Sequence, residues 1–230
     1  MNLACIERIV PQATIADVLA AEGLQTERER KLNLLVTVLL IIMINIYTTD
    51  SIGAVLEKIA QGLRYIWPDP DYQVANASAI SYRRYQVGAR PMVALFQEVC
   101  QPLASPDTPG AFMFGLRLMA LDGTTEDVPD TPANAAVFGR HQSDRGPSAF
   151  PQVQGVYLVE CGTHAIVDAG FWPYHTSERV GGFRLLRSVE AGMLLMWDRG
   201  FHNYDMFVQA RQRGAHVLSR LPAHVRLEVV

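Results

Sequence analysis

The spacing of apolar residues changes at one proline-rich segment, and this change limits the possible folds of the chain more than any other feature. Residues 101–113 (QPLASPDTPGAFM) contain three prolines and a glycine, which is typical of a connection between domains. Before this segment the apolar residues recur with the period of an α-helix, and after it they alternate as in a β-strand. We therefore predict a helical domain over residues 1–100, a linker over 101–113 and an α/β domain over 114–230.

The longest apolar run of the first domain predicts a buried helix and no membrane partner. Residues 32–47 (LNLLVTVLLIIMINIY) form a run of 16 residues, whereas a helix needs ~20 to cross a bilayer. Just before it, Thr26 and Glu29 have the spacing of a capping box. The remaining helices of this domain are predicted over residues 11–22, 51–61 and 78–100, with stops at Gly23 and Gly62 and a kink or division at Pro91.

In the second domain, three strands are predicted before the first helix. The predicted elements are strands 114–121, 153–160 and 163–170, helix 177–190, strand 192–197, helix 203–213 and strand 215–221. Gly181 and Gly182 weaken the prediction of the first helix. A hairpin meander followed by crossover units is the order of the ribonuclease-H-like fold, in which the first and fourth strands lie side by side at the centre of a mixed β-sheet.

Composition excludes several classes of protein. Apolar residues make up 49% of the chain and the net charge is -3, so the chain is not of the disordered class. Three cysteines, an odd number without a CxxC pair, are typical of a reducing compartment and speak against a disulfide framework or a zinc knuckle. We expect a cytoplasmic protein, and any basic surface for a nucleic acid must be local.

An aspartate follows each of the two strands predicted to be central. Asp122 comes directly after the first strand and Asp198 directly after the fourth. Taken singly, each is an ordinary turn residue, because Asp and Gly satisfy turn geometry locally. If the strands are neighbours, these residues lie roughly 5 Å apart, and a hard cation such as Mg²⁺ removes the repulsion of their carboxylates. Two such ions about 3.5–4 Å apart could activate the attacking oxygen and stabilise the leaving oxygen of a phosphodiester.

The segments around these aspartates carry a recognisable pattern. They read DGTTEDVPDTPANAAVFG (residues 122–139) and WDRGFHNYDMF (residues 197–207), with DRGF between an apolar strand and a helix. Both resemble the aspartate blocks of insertion-sequence transposases of the IS4 type. Residues 10–42 are similar to the helical domain that precedes the catalytic core in one branch of these enzymes, and residues 80–96 to the helix that leads into the core.

The resemblance implies a DDE transposase, in which three acidic residues bind two Mg²⁺ ions, with Mn²⁺ able to substitute. Such an enzyme cuts DNA at the terminal inverted repeats of a transposon and joins it to target DNA, and its subunits can self-associate. Asp122 matches the first acid and Asp198 the second, so both are the expected catalytic residues and metal ligands. The third acid, a Glu on a later helix, has no counterpart, since Glu228 falls in a predicted strand. We therefore expect a truncated core that is inactive as a 230-residue chain.

Two other functions stay open on the sequence alone. One is a non-catalytic fragment that binds DNA or inhibits the full transposase through residues 1–100. The other is a different ribonuclease-H-like nuclease such as a resolvase, against which the helical domain and the DRGF block count. Arg83, Arg84 and Arg90 could face DNA phosphates, although a solvated helix face is the simpler interpretation.

Overall fold

The computed structural model describes residues 3–24, 32–63, 75–144, 146–223 and 225. The chain divides into two compact units, residues 1–99 and residues 100–230. The predicted capping box of Thr26 and Glu29 lies outside the described residues, as does Glu228.

The first unit is helical. Its helices are α1 Leu3–Ile9, α2 Gln12–Ala21, α3 Leu34–Ile44, α4 Ile52–Leu63, α5 Ala77–Val87 and α6 Arg90–Val99. Asn33 caps α3 by accepting a hydrogen bond from the Val36 amide at 2.8 Å, and most of α3 is buried, as predicted. Within the described ranges, no helix is both long and apolar enough to cross a membrane.

Two glycines of the first unit have different roles: Gly62 lies inside a helix, and Gly88 ends one. Gly62 does not end its helix, because α4 continues to Leu63. A Cβ on Gly62 would lie 2.9 Å from the Cβ of Leu3, so this glycine lets α1 pack closely against α4. Gly88, with φ of 65°, does end α5, and Pro91 falls in the first turn of α6. The division of the predicted 78–100 helix is therefore made at Gly88, in a conformation that favours glycine.

The second unit is built on a mixed sheet, as predicted. Its elements are β1 Phe112–Met113, β2 Leu116–Asp127, α7 Pro132–Phe138, β3 Gln142–Ser143, β4 Gly146–Pro147, β5 Gln152–Glu160, β6 Ile166–Pro173, α8 Glu178–Leu185, β7 Met193–Trp197, α9 Tyr204–Gln212 and β8 His216–Ser219. The strand order is β6-β5-β2-β7-β8, with β1 paired to β2. The pairs β2–β7 and β7–β8 are parallel, and β5 is antiparallel to both of its neighbours. The expected adjacency of the first and fourth predicted strands is thus confirmed.

One face of this sheet forms the core of the unit. Leu121 of β2 and Trp197 of β7 belong to the buried cluster, together with Leu185 of α8 and Met206 of α9. A short 3₁₀ turn over Leu186–Ser188 continues α8, which is shorter than the predicted helix 177–190.

The segment before β2 is attached to the sheet by a buried carboxylate. Glu160, the last residue of β5, has no exposed side-chain surface. Its Oε2 accepts hydrogen bonds from the amides of Leu103 at 3.0 Å and Ala104 at 2.8 Å, and from the Thr163 hydroxyl. Its Oε1 is paired with Arg117 of β2. Residues 103–104 of the predicted linker are therefore held by β5, and residues 112–113 of it form β1.

Candidate functional site

The two predicted aspartates lie at equivalent positions on adjacent parallel strands. The register of β2 and β7 pairs Leu121 with Trp197, and Asp122 and Asp198 are the next residues of each chain segment. Neighbouring strands are about 4.8 Å apart. Because Leu121 and Trp197 point into the core and the backbone of Asp198 is still extended, both aspartates project from the opposite face of the sheet. The parallel pairing thus puts the two aspartates at neighbouring positions on that face.

The expectation that β2 ends before Asp122 is wrong. Strand β2 continues through Asp122 to Asp127, and Asp122 is paired with Tyr157 of β5. The Asp-Gly pair forms no turn here, because nine consecutive residues of β2 pair with β5 and hold the backbone extended. Strand β7 does end at Trp197, so the edge of β2 beyond Leu121 has no strand pairing on that side.

Local hydrogen bonds orient both carboxylates. Asp122 Oδ1 accepts from the Gly123 amide at 2.9 Å, and Asp198 Oδ1 accepts from the Gly200 amide at 2.7 Å. Asp198 thereby caps a 3₁₀ turn over Arg199–Phe201. Both side chains are exposed, and among the described residues no side chain donates a hydrogen bond to either. Each aspartate therefore keeps a carboxylate oxygen that can bind a ligand from solvent.

Glu178 is the carboxylate that sequence reasoning missed near this site. It is the first residue of α8, and its carboxyl carbon would lie 2.8 Å from a Cβ placed on Gly123. Gln154 donates to Glu178 Oε1 at 3.3 Å and to the Thr124 carbonyl at 3.1 Å. Because strand residues alternate, Gly123 faces α8 whereas Asp122 faces the other way. Glu178 therefore supports the strand from behind the site, and Gly123 is the residue that makes room for it.

Tyr157 was also missed, and it lies on the same face as Asp122. Its hydroxyl donates to Glu126, and a Cβ on Gly155 would lie 2.7 Å from the Tyr157 Oη. The ring consequently leans over Gly155 toward Glu126. Burial, together with the hydrogen bond and negative charge of Glu126, raises the pKa of Tyr157 to about 12. Only the register of β2 with β5 brings these residues together, so no local sequence pattern could have indicated them.

A third acidic ligand is not present in the described part of the chain. Within that part, no group of three or more His, Cys, Asp and Glu side chains is arranged to hold a metal ion. Two further aspartates that follow Asp122 in the sequence have partners of their own: Asp127 ends β2 and accepts from Gln152, and Asp130 is paired with Arg140.

Comparison with known proteins finds similarity to transposases. Residues 1–97 match the family model of the insertion element 4 transposase N-terminal region. Two curated proteins of Escherichia coli K12 are similar to the chain. The putative transposase InsZ is 29% identical over 147 residues, which cover 64% of this chain and 49% of InsZ. The transposase InsG for insertion sequence element IS4 is 28% identical over 202 residues, which cover 88% of this chain and 44% of InsG.

The chain is thus similar to transposases of the IS4 type. It spans about half the length of the curated relatives that it matches. Among solved structures, a piggyBac transposase synaptic complex with hairpin DNA aligns with this chain at 9% identity and a TM-score of 0.46. The alignment covers 97% of this chain and 51% of the piggyBac chain. The Mos1 transposase paired-end complex with the left transposon end aligns at 10% identity and a TM-score of 0.31. This alignment covers 84% of this chain and 60% of the Mos1 chain.

Proposed function

We propose that this chain forms the helical domain and the first part of the catalytic core of a DDE transposase that cuts and joins DNA at transposon ends. The observation that carries the proposal is the register of β2 with β7, which sets Asp122 beside Asp198 on one exposed face of the sheet. The strand order β6-β5-β2-β7-β8 supports a ribonuclease-H-like core, because it is the order expected when a three-strand meander is followed by two crossover units. Similarity to transposases of the IS4 type supports DNA transposition as the reaction.

The donor atoms at this site suit a hard divalent cation. Asp122 and Asp198 offer carboxylate oxygens that are exposed to water and fixed by one backbone amide each. Mg²⁺ prefers oxygen ligands and commonly binds one or two carboxylates while it keeps several waters. When bound, such an ion supplies charge stabilisation for the attacking and leaving oxygens of a phosphodiester.

The residues around the aspartates have supporting roles in this proposal. Leu121 and Trp197, buried directly before the two aspartates, anchor β2 and β7 in the core at this point. Gly200 allows the tight turn after Asp198, because a Cβ there would lie 2.9 Å from Asp198 Oδ1. Rigid positioning of this kind matters, since most catalysis of phosphoryl transfer comes from positioning and electrostatic stabilisation.

A non-catalytic role is the second candidate. The observation in its favour is that the described residues bring two acidic groups to the site and not three. A chain of this kind would bind transposon ends, or subunits of an active transposase, without cutting DNA. Specific cleavage of transposon-end DNA by the 230-residue chain would contradict this second candidate.

Metal binding by the two aspartates can be measured with Mn²⁺, by electron paramagnetic resonance of the free ion. We expect Asp122→Asn and Asp198→Asn each to weaken binding at least about tenfold, since losing even an outer partner of a metal ligand costs about 10–100-fold. If both residues hold the same ion, the double variant is little worse than either single variant. Asp107→Asn, at an exposed carboxylate before β1, is the matched control and retains full affinity. Equal Mn²⁺ affinity in all variants contradicts the proposed site.

A further inference from the structure

Helix α5 has an unusual outward face. Its inward residues are Ile80, Arg83 and Val87, which are all buried. The side chains of Ser81, Tyr82, Arg84 and Tyr85 are exposed, and we refer to these four residues as the α5 face. Tyr82 is 59% exposed and Tyr85 is 86% exposed. Two neighbouring tyrosines this accessible bury little apolar area in the folded unit, so the stability of the fold does not account for them.

The charged residues of α5 and of the start of α6 have one sign. Residues 72–97 contain Arg83, Arg84 and Arg90 and no Asp or Glu. Arg84 lies in the last turn of α5, and Arg90 begins α6 just after the turn at Gly88, with both side chains exposed. The ion pairs formed among the described residues involve none of these three arginines. Arg84 and Arg90 therefore present exposed positive charge that forms no ion pair among the described residues.

A chain of hydrogen bonds orders part of the α5 face in the unbound protein. Arg83 Nη1 donates to Gln86 Oε1 at 2.8 Å, and Gln86 Nε2 donates to the Tyr82 hydroxyl oxygen at 3.2 Å. Tyr82 thus keeps its own hydroxyl hydrogen available to an acceptor outside the helix. Groups that are already ordered lose less conformational entropy when they bind.

We propose that the α5 face, continued by Arg90, binds the phosphate backbone of duplex DNA. Arginine, serine and tyrosine side chains are common donors to phosphate oxygens, and such contacts fix a protein on the duplex without reading its sequence. A protein partner would also suit exposed tyrosines, but exposed arginines that form no ion pair among the described residues favour a polyanion. The inference rests on the proposed function, because it takes DNA as the substrate. It adds a DNA-binding surface in the helical unit.

The salt dependence of DNA binding tests this interface directly. The probe is a random-sequence duplex labelled with a fluorophore, and the full 230-residue chain is titrated by anisotropy at several salt concentrations. We expect Arg84→Ala and Arg90→Ala each to reduce the slope of log K against log salt by about 0.9. At about 0.1 M salt this corresponds to roughly tenfold weaker binding for each variant. Tyr85→Phe, which removes only a hydroxyl, should weaken binding without changing the slope.

The control is Arg8→Ala, which removes the same charge from an exposed position beside Glu7 in the same helical unit. It should leave the slope unchanged, and circular dichroism should show the same helicity for every variant. Wild-type affinity and slope in Arg84→Ala and Arg90→Ala would overturn the inference. A molecular mass by light scattering that changes when Tyr85 is replaced would also overturn the inference, because the α5 face would then join copies of the chain. Mn²⁺ binding at Asp122 and Asp198 reports separately on the proposed function and should be equal in all these variants.

Discussion

At the scale of single residues, Glu160 shows what sequence reasoning cannot supply. Its partners Leu103 and Arg117 are 57 and 43 residues away in the chain, so no local pattern marks them. Burial acts to raise the pKa of Glu160, but hydrogen bonds from Thr163, Ala104, Leu103 and Arg117 outweigh it and hold the pKa below its usual value. The charged form is therefore the one that the fold stabilises. Asp122 and Asp198, in contrast, could be predicted because each directly follows an apolar run in the sequence.

Replacing Glu160 with Gln tests this buried charge. We expect the free energy of unfolding at pH 7 to fall by about 3–5 kcal/mol, because Arg117 loses its carboxylate and the amides lose a charged acceptor. A carboxyl group whose pKa is lowered by folding contributes stability above its unfolded pKa and loses it as the pH falls through the folded value. The difference between wild type and variant should therefore narrow from pH 7 to pH 3 in urea denaturation.

Glu190→Gln, at an exposed position, is the control for this change and should alter stability little at either pH. A difference for Glu160→Gln that stays the same at both pH values would mean that the carboxylate charge is not what stabilises the fold.

At the scale of elements, local patterns predicted the type of most elements but not their lengths. The Asp-Gly pair at residues 122–123 is a common turn signal, yet long-range pairing with β5 extends β2 to Asp127. Gly181 and Gly182 lower helix propensity, yet α8 contains both. A Cβ on Gly181 would lie 2.5 Å from Val156 Cγ2, and one on Gly182 would lie 2.9 Å from Phe201. These glycines serve the close approach of α8 to the sheet, which a propensity scale cannot show.

The substitution Gly181→Ala separates these two effects. Helix propensity alone favours alanine by about 1 kcal/mol, whereas overpacking against the stiff Val156 side chain costs about 1–3 kcal/mol. We expect a net loss of stability in urea denaturation followed by circular dichroism. Gly53→Ala in α4 is the matched control, because the nearest atom that its Cβ would meet is 4.0 Å away, and it should not destabilise. Stabilisation by both substitutions would show that α8 does not pack as closely as described.

At the scale of the whole molecule, the plan of the sheet was predictable from the order of its elements. Three strands followed by alternating helices and strands place β2 beside β7, and the parallel pairing brings Asp122 and Asp198 together. Tyr157 and Glu178 could not be predicted as neighbours of the site, because their positions depend on strand register and on where α8 crosses the sheet. A third acid stays a prediction of the family resemblance, since the described residues supply none at the site.

We expect the 230-residue chain neither to cut nor to join transposon-end DNA, with Mg²⁺ or with Mn²⁺. Two carboxylates hold an ion loosely, and a misplacement of about 1 Å in such a reaction costs about 10²-fold. The assay is incubation with DNA that carries the terminal inverted repeats, followed by separation of the products on a gel. Specific cleavage at an end that Asp198→Ala abolishes would contradict this expectation and point to a further acid, with Glu228 the first to replace.

The most direct measurement of the central claim is anomalous X-ray diffraction from crystals of the chain grown with Mn²⁺. The account predicts one anomalous peak that lies about 2 Å from a carboxylate oxygen of Asp122 and about 2 Å from one of Asp198. A peak bound to only one of these aspartates, or peaks only elsewhere on the protein, would contradict the claim that the pairing of β2 with β7 builds a shared metal site.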